Sequence, residues 1–523
     1  MFDLLIRGGH VVNGTGAPWF EADVGIDNDR VATVGHLGGA RAKRVIDAQG
    51  CVVAPGFIDV HSHSDFNLMV DPRAESKIRQ GVTTEVVGQC GISGAPMYPG
   101  GMSELRNRYP GSFASSKWTT MEEFLAHLEG AGPAVNFVAL VGHGNVRRAA
   151  MGEEDRPPTP GELSAMKELL REGLRAGAFG MSTGLIYPPG VYSETDELIA
   201  LAEVLGEFGA IYFTHLRNER SEVVQSVREA LEIGARGGCS VHISHLKAFE
   251  EENWGRILDA LDVMEEARAR GIEVTGDQYP YTASSTALRS TLPPRVHDGG
   301  MAAMLKRLDD SREREAIKAE WAGTIDWRNI IVSTVMSRAN KDIEGLSIAQ
   351  AAAAAGADPG DFTMDLLLAE SGEVSMVYFG MSEEDVREVM THPLVMIGSD
   401  GAALAPHGDL GRGKPHPRSY GTFPRVLGKY VREDEIMPLE LAVSKMTSWP
   451  ASKLGLTDRG LIVSGNWADL TIFDPATVKD EATYPDPHAF PTGIEWVVVN
   501  GKVAVERGQQ TDLLAGRVLR RNR

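Results

Sequence analysis

Eight short apolar runs recur along the middle of this chain, and most of them stop at a residue able to bind a metal or carry a proton. This alternation constrains the fold more than any other feature. The runs are Gly56–Val60, Thr84–Gly88, Asn136–Val141, Ala178–Ser182, Ala210–Thr214, Val241–Ser244, Ile272–Gly276 and Leu394–Gly398. Helical patterns such as Leu163–Ala176, Ser221–Gly234 and Gly255–Arg270 fall between them. Continuous apolar runs mark strands buried on both faces, and strand–helix alternation implies right-handed βαβ units. Eight such units predict an α/β fold, a (β/α)8 barrel of the TIM type, over residues 56–455. The gap between the seventh and eighth runs is too long for one crossover. It predicts an insertion from about Ser285 to about Glu388, with its own strand at Ile330–Val335 and an alanine-rich helix near Ile348–Ala355.

The two ends have a different texture. Short β-type runs at Phe2–Ile6, Val11–Val12, Ala22–Ile26 and Arg30–Val34 are separated by turn residues, and similar runs return at Asp469–Phe473, Trp496–Val499 and Lys502–Val505. Asn500-Gly501 between the last two is a strong hairpin signal. Each set alone is short of strands for a stable sheet stack. The expectation is therefore one small β-sandwich domain assembled from both termini, residues 1–55 and 456–523.

Composition narrows the function. A net charge of −20 argues against a nucleic-acid surface. No run approaches the roughly 20 apolar residues of a membrane span. The start, Met1-Phe-Asp-Leu-Leu-Ile-Arg, lacks the pattern of a secretory signal. Cys51, Cys90 and Cys239 are too few and scattered for a disulfide framework, which points to a reducing cytoplasm. The sequence leaves a homo-oligomer open.

In a barrel the C-terminal strand ends converge on one mouth, where the chemistry of such enzymes sits. The first run leads into His61 and His63, the second into Cys90, the third into His143, the fifth into His215, the sixth into His245 and the eighth into Asp400. His61 and His63 alternate by two, so on a strand both face one side and can share a cation. A lone His-X-His is more often a hydrogen-bonded pair; its placement at a strand end, echoed at other strand ends, favours metal. A free cysteine is more often buried core than ligand. Yet Cys90 with His215 and His245 makes a thiolate and two-imidazole set that suits zinc and leaves a position for water. Asp400 in Ser399-Asp400-Gly401 reads either as a turn aspartate or as a general base beside the metal. Asp65 and Asp277 also follow strands and read as supporting residues. Lys247 lies two residues past His245 and shares its side if the strand persists, although most lysines are solvated.

These residues and their surroundings resemble the D-aminoacylase (N-acyl-D-amino-acid deacylase) family of the amidohydrolase superfamily. The resemblance is carried by Gly88-Gln-Cys90-Gly91, Gly180-Met-Ser-Thr-Gly-Leu-Ile-Tyr187, Thr214-His215-Leu-Arg217-Asn-Glu219, Ile243-Ser-His245-Leu-Lys247 and Asp277-Gln-Tyr279-Pro-Tyr281-Thr-Ala-Ser-Ser285, and spans almost the whole chain. It implies Zn2+ held tightly by Cys90, His215 and His245, with His61 and His63 lining a weaker second position that shares Cys90. It implies Asp400 as catalytic acid and base. It further implies that Tyr187, Lys247, Tyr279, Ser285 and an arginine, Arg295 or Arg289, anchor the carboxylate of an N-acyl-D-amino acid. The expected reaction is hydrolysis of the acyl amide. The alternative on the same scaffold is a cyclic-amide hydrolase of the hydantoinase or dihydroorotase kind, which typically bridges its metals with a carbamylated lysine. A cysteine hydrolase using Cys90 as nucleophile would leave the His-X-His and Asp400 unexplained.

Overall fold

The computed structural model describes residues 1–109 and 111–521. All eight apolar runs form strands: Phe57–Asp59, Val82–Val87, Asn136–Ala139 continued by Val141–Gly142, Gly180–Gly184, Ile211–His215, Ser240–Ile243, Val274–Gln278 and Val395–Ile397. Their pairing is parallel throughout. The first pairs with the second and the second with the third. From Val141–Gly142 the ladder runs through the fourth, fifth, sixth and seventh strands to the eighth. A parallel bridge, Ser62 to Gly401, then joins the chain just past the first strand to the chain just past the eighth. Beside it the Asp400 N–H donates to the His61 carbonyl at 2.8 Å, and the His63 N–H to the Gly401 carbonyl at 2.9 Å. Residues from opposite ends of this region thereby become neighbours.

The intervening helices follow from their apolar stripes. Val223–Gly237 buries Val223, Val227, Ala230, Leu231 and Gly234, a helical spacing, and stops at Gly238, whose φ of 67° is the left-handed stop that glycine tolerates. Truncating a buried leucine such as Leu231 to alanine should destabilise by about 2–5 kcal/mol. Pro160–Arg175 starts on a capping box, with the Thr159 hydroxyl accepting from the Glu162 N–H and Pro160 at the first turn.

Both ends of the chain feed one nine-stranded sheet. Phe2–Val11, Phe20–Asp27, Arg30–Gly35, Ala42–Asp47 and Val52–Pro55 come from the start; Leu470–Phe473, Ile494–Val499, Lys502–Glu506 and Gln509–Gln510 come from the end. The two sets meet where Val52–Pro55 runs antiparallel to Leu470–Phe473. Asn500 and Gly501 adopt φ of 47° and 77°, the doubly left-handed turn expected of Asn-Gly. Two details differ from the sequence expectation. Val11 belongs to the same strand as Phe2–Ile6, because the register shifts between Ile6 and Gly9 around Gly8 at φ 72° and the strand continues past the bulge. The last strand, Val518–Leu519, leaves this sheet and pairs in parallel with Phe137–Val138.

Between the seventh and eighth parallel strands the chain builds a three-stranded antiparallel sheet, with Ser375–Phe379 between Ala283–Ala287 and Ile330–Thr334. The alanine-rich helix spans Ile348–Ala355, as expected. Met376, Val377 and Tyr378 are buried in the central strand and act as core.

Candidate metal centre

Five of the six metal and base residues read from the sequence are almost wholly buried: His61, Cys90, His215, His245 and Asp400. His63 retains 32% side-chain exposure, so one edge of the cluster opens outward. The Cys90 Sγ lies 3.5 Å from both His61 Nε2 and His245 Nε2. Asp400 Oδ1 lies 2.9 Å from His63 Nε2 and 3.4 Å from His61 Nε2. The His215 and His245 rings meet edge to face with centroids 4.2 Å apart. Ligand atoms of His61, Cys90, His245 and Asp400 all fall within 4.8 Å of one another.

The backbone places these groups at some expense. Cys90, His245 and Asp400 each adopt a left-handed conformation, with φ of 52°, 37° and 50°. Non-glycine residues rarely do so, and such strain gathers at functional sites. Each sits just past a parallel strand, where the left-handed step breaks the ladder.

The electrostatics favour a cation. Burial alone would raise the Cys90 thiol, yet the imidazoles of His61 and His245 hold it well below its usual range. Burial also opposes ionisation of Asp400; Arg418, followed by His61 and His245, holds the carboxyl well below its ordinary value. Burial keeps His215 below its usual value, hence neutral. Both ring nitrogens of His215 are buried without a hydrogen-bond partner. Orphaned polar atoms of this kind are uncommon and call for an explanation. A neutral imidazole next to a thiolate is a metal-ligand set, and the residues present fit a zinc ion.

A layer of acids holds these ligands. Asp277, read from the sequence as a supporting residue, accepts through Oδ2 from His61 Nδ1 at 3.0 Å and His242 Nε2 at 2.9 Å, and through Oδ1 from the His245 N–H at 2.9 Å. Glu219 Oε1 lies 3.0 Å from His245 Nδ1, and its Oε2 lies 3.6 Å from His215 Nε2. Asp65 is buried, and that burial pushes its carboxyl up to about 7. His143, though also at a strand end, turns to Glu197 at 2.8 Å and is separate from the cluster.

Four of the five residues expected to meet substrate gather at the cluster. Lys247 is buried, with Nζ 2.6 Å from Glu219 Oε1 and 2.7 Å from His245 Nδ1. The Tyr187 ring packs edge-on against His215 at 5.0 Å. Tyr279 is fully buried, with the Arg418 guanidinium carbon 4.8 Å from its ring centre. Ser285, half-buried, lies on the strand Ala283–Ala287 and accepts from Arg418 Nη2 through its carbonyl at 3.0 Å.

The structure corrects the fifth. Arg295 ion-pairs with Glu313 and Glu320, both at 2.7 Å, with 42% of its side chain exposed. Arg289 is likewise occupied, by the Gly372 carbonyl and Glu373. The arginine at the cluster is Arg418, which is buried and places Nη1 2.7 Å from Asp400 Oδ2. Its backbone N–H donates to His416 Nδ1 at 3.0 Å, while His416 Nε2 bonds the Ala283 carbonyl at 2.9 Å. A neutral His416 thereby pins Arg418 to the inserted sheet. Sequence reasoning missed Arg418 and Glu219. Glu219 carried one signal, its position four residues past His215.

Known proteins fit this geometry. Residues 44–505 match the amidohydrolase family. The chain is 40% identical over 520 residues to the N-acyl-D-glutamate deacylase of Alcaligenes xylosoxydans, covering 99% of this chain and 97% of the relative. It is 37% identical to the D-aminoacylase of the same organism, over 99% of this chain and 98% of that one. The chain belongs to the D-aminoacylase family of amidohydrolases. Within this family, the crystal structure of N-acyl-D-glutamate deacylase from Bordetella bronchiseptica, complexed with zinc and a phosphonate mimic of the tetrahedral intermediate, superposes with a TM-score of 0.85. It is 37% identical, covering 99% of each chain.

Proposed function

We propose that this protein is a zinc-dependent amidohydrolase that splits the acyl amide of N-acyl-D-amino acids into a carboxylate and a free D-amino acid. The observation that carries this reading is the convergence of the Cys90 sulfur, the His61 and His245 imidazoles and the Asp400 carboxylate within 4.8 Å. In this reading Cys90, His215 and His245 hold the tight zinc, and His61 and His63 line a weaker second position that shares Cys90. The scaffold is a (β/α)8 barrel, a reading supported by parallel pairing within two sheets that share the third run, and by the Ser62–Gly401 bridge. A small sandwich built from both termini abuts it, supported by the shared nine-stranded sheet. We place the protein in the cytoplasm, in keeping with its unpaired Cys51, Cys90 and Cys239. Among the described residues no helix is long and apolar enough to cross a membrane.

When bound, zinc supplies Lewis acidity, polarising the acyl carbonyl and making a water acidic near neutral pH. Asp400 accepts the proton of the attacking water at Oδ1, the oxygen that faces His61 and His63. The new bond forms between the water oxygen and the acyl carbon. As the carbon–nitrogen bond breaks, Asp400 returns the proton to the departing amine. Arg418, Lys247, Tyr279, Tyr187 and Ser285 orient the substrate carboxylate; Arg418 and Lys247 supply its charge complement. Burial of the cluster excludes bulk water, which strengthens each of these interactions.

The cyclic-amide alternative needs a lysine between its metals. Here the central position belongs to the Cys90 sulfur, and the buried Lys77 is committed to Asp59 at 2.6 Å and Ser399 at 2.7 Å. Selectivity for D substrates rests on the named relatives. The test is a hydrolysis screen of N-acetyl-D- and N-acetyl-L-amino acids, with dihydrouracil and hydantoin alongside, using protein of known zinc content. Turnover confined to N-acetyl-D-amino acids supports the reading. Turnover of the cyclic amides alone overturns it.

A further inference from the structure

We propose that Arg148 is a positioning residue for Tyr187: it holds the Pro188-Pro189 turn that follows this tyrosine and couples the turn to the insertion through Glu153. The inference rests on the reading above, in which Tyr187 meets the substrate carboxylate. It goes beyond that reading by naming what sets the place of the ring.

The turn cannot hold itself. Neither proline has an N–H to donate. The N–H groups that follow are spent within the turn: Val191 donates to the Tyr187 carbonyl at 2.9 Å, Tyr192 to the Pro189 carbonyl at 3.2 Å and Ser193 to the Gly190 carbonyl at 3.1 Å. The Pro188 carbonyl is met instead by Arg148 Nη2, which donates to it at 3.0 Å. Arg148 lies on the helix His143–Met151, which begins directly at the end of the third parallel strand. Next to it, Arg147 Nη1 donates to the Pro189 carbonyl at 3.1 Å. Arg147 is fully buried and, with His143, satisfies the buried Glu197, so its removal would test the fold more than the turn.

The second arm of Arg148 leads to the insertion. Its Nε donates to Glu153 Oε1 at 2.6 Å, and the Glu153 carbonyl accepts from the Gly299 N–H at 3.2 Å. The far end of the turn reaches the insertion directly, where the Tyr192 hydroxyl donates to the Pro294 carbonyl at 2.8 Å. The Arg148 side chain is only 18% exposed, and its guanidinium carbon lies 5.1 Å from the centre of the Tyr98 ring. A planar fork serves both arms at once, which a point charge cannot do.

Tyr187 has no slack at the metal cluster. Its ring lies edge-on to His215, with centroids 5.0 Å apart. A side chain on Gly184 would overlap the Cys90 carbonyl and come within 2.9 Å of the Tyr187 ring. A shift of the turn therefore moves the Tyr187 hydroxyl relative to the substrate.

The test is a double-mutant cycle on the whole zinc-loaded protein. KM and kcat would be measured for an N-acetyl-D-amino acid and its methyl ester, with zinc content and melting temperature alongside. Tyr187→Phe removes only the hydroxyl and should raise KM for the free acid about 10- to 100-fold, and less for the ester. Arg148→Met should raise the free-acid KM at least about threefold with kcat and zinc content near wild type. In the Tyr187→Phe background the same change should add less than about 1.5-fold, because the displaced ring has no hydroxyl left to lose. Glu153→Gln should act in the same direction as Arg148→Met, by less, and takes its place in the cycle if Arg148→Met fails to fold. Arg171→Met, at an ion pair with the exposed Glu207, should stay within about twofold of wild type. An unchanged KM in Arg148→Met overturns the proposal, as does an equal effect in both backgrounds or on both substrates. A wild-type KM in Tyr187→Phe removes Tyr187 from substrate binding and the proposal with it. Absence of deacylation in the wild type is a separate result, the failure of the proposed function.

Discussion

Arg418 spans two parts of the molecule: its Nη1 lies 2.7 Å from Asp400 Oδ2, and its Nη2 donates to the Ser285 carbonyl at 3.0 Å. One guanidinium thus joins the proposed base to the first strand of the insertion. As the carboxylate anchor, Arg418 should matter more for free acids than for esters. Arg418→Met is expected to lower kcat/KM for an N-acetyl-D-amino acid about 10- to 100-fold more than for its methyl ester, since a charge-assisted hydrogen bond contributes about 1.5–3 kcal/mol. Arg295→Ala should leave both within about twofold, as exposed ion pairs contribute about 0–1 kcal/mol. Equal losses on acid and ester in Arg418→Met would remove Arg418 from carboxylate recognition.

Zinc content tests the ligand set. About one tightly held zinc per chain is expected, lost on Cys90→Ala, His215→Ala or His245→Ala, because the vacated position has no replacement thiolate or imidazole. Elemental analysis after dialysis reads the outcome. Full zinc and full turnover in Cys90→Ala would contradict the assignment.

Asp400→Asn separates chemistry from binding. The amide is nearly isosteric with the carboxylate but cannot take the proton of the attacking water. Zinc content should stay near that of wild type while kcat falls about 10²- to 10⁴-fold. A kcat within a few-fold of wild type would show that another group takes the proton.

Lys445 offers a pH test away from the metal. It is fully buried, and Nζ donates to the carbonyls of His392 at 2.5 Å and Val395 at 2.7 Å. Burial pushes its ammonium down to about 7 from its ordinary 10.5. Between those values the unfolded chain binds a proton that the folded chain lacks, so this group makes stability rise with pH, by up to about 1.4 kcal/mol per unit. Below about 7 both states are protonated and the burial penalty is fully present. Urea melts at pH 7.5 and 9.5 should show this rise in wild type and a shallower one in Lys445→Met. Identical slopes would mean that Lys445 stays charged in the folded protein.

Much of the site was legible because strand ends follow from the apolar pattern. His61, His63, Cys90, His215, His245 and Asp400 each lie within three residues of the end of such a run, and parallel pairing then brings them together. Asp277 was legible as support for the same reason. Arg418 was not, because it starts the helix Arg418–Arg425 after an irregular stretch beyond Gly401, where no periodicity says which way a side chain turns. Arg295 misled for the converse reason: it lies in the region where the carboxylate anchor was expected, yet in the fold two glutamates take its guanidinium. In the terminal sheet, the Gly8–Gly9 bulge hid the continuity of one long strand, since a register shift breaks the alternation by which strands are recognised.

The left-handed backbones at Cys90, His245 and Asp400 bear on how such a chain can drift over generations. At each of these positions glycine would relieve about 1–2 kcal/mol of steric strain. In a lineage released from its reaction that strain is no longer offset by function, although at Asp400 the loss of the buried counter-charge to Arg418 outweighs it. Glycine at any of the three in an otherwise similar sequence would mark a protein that kept the architecture and gave up the chemistry.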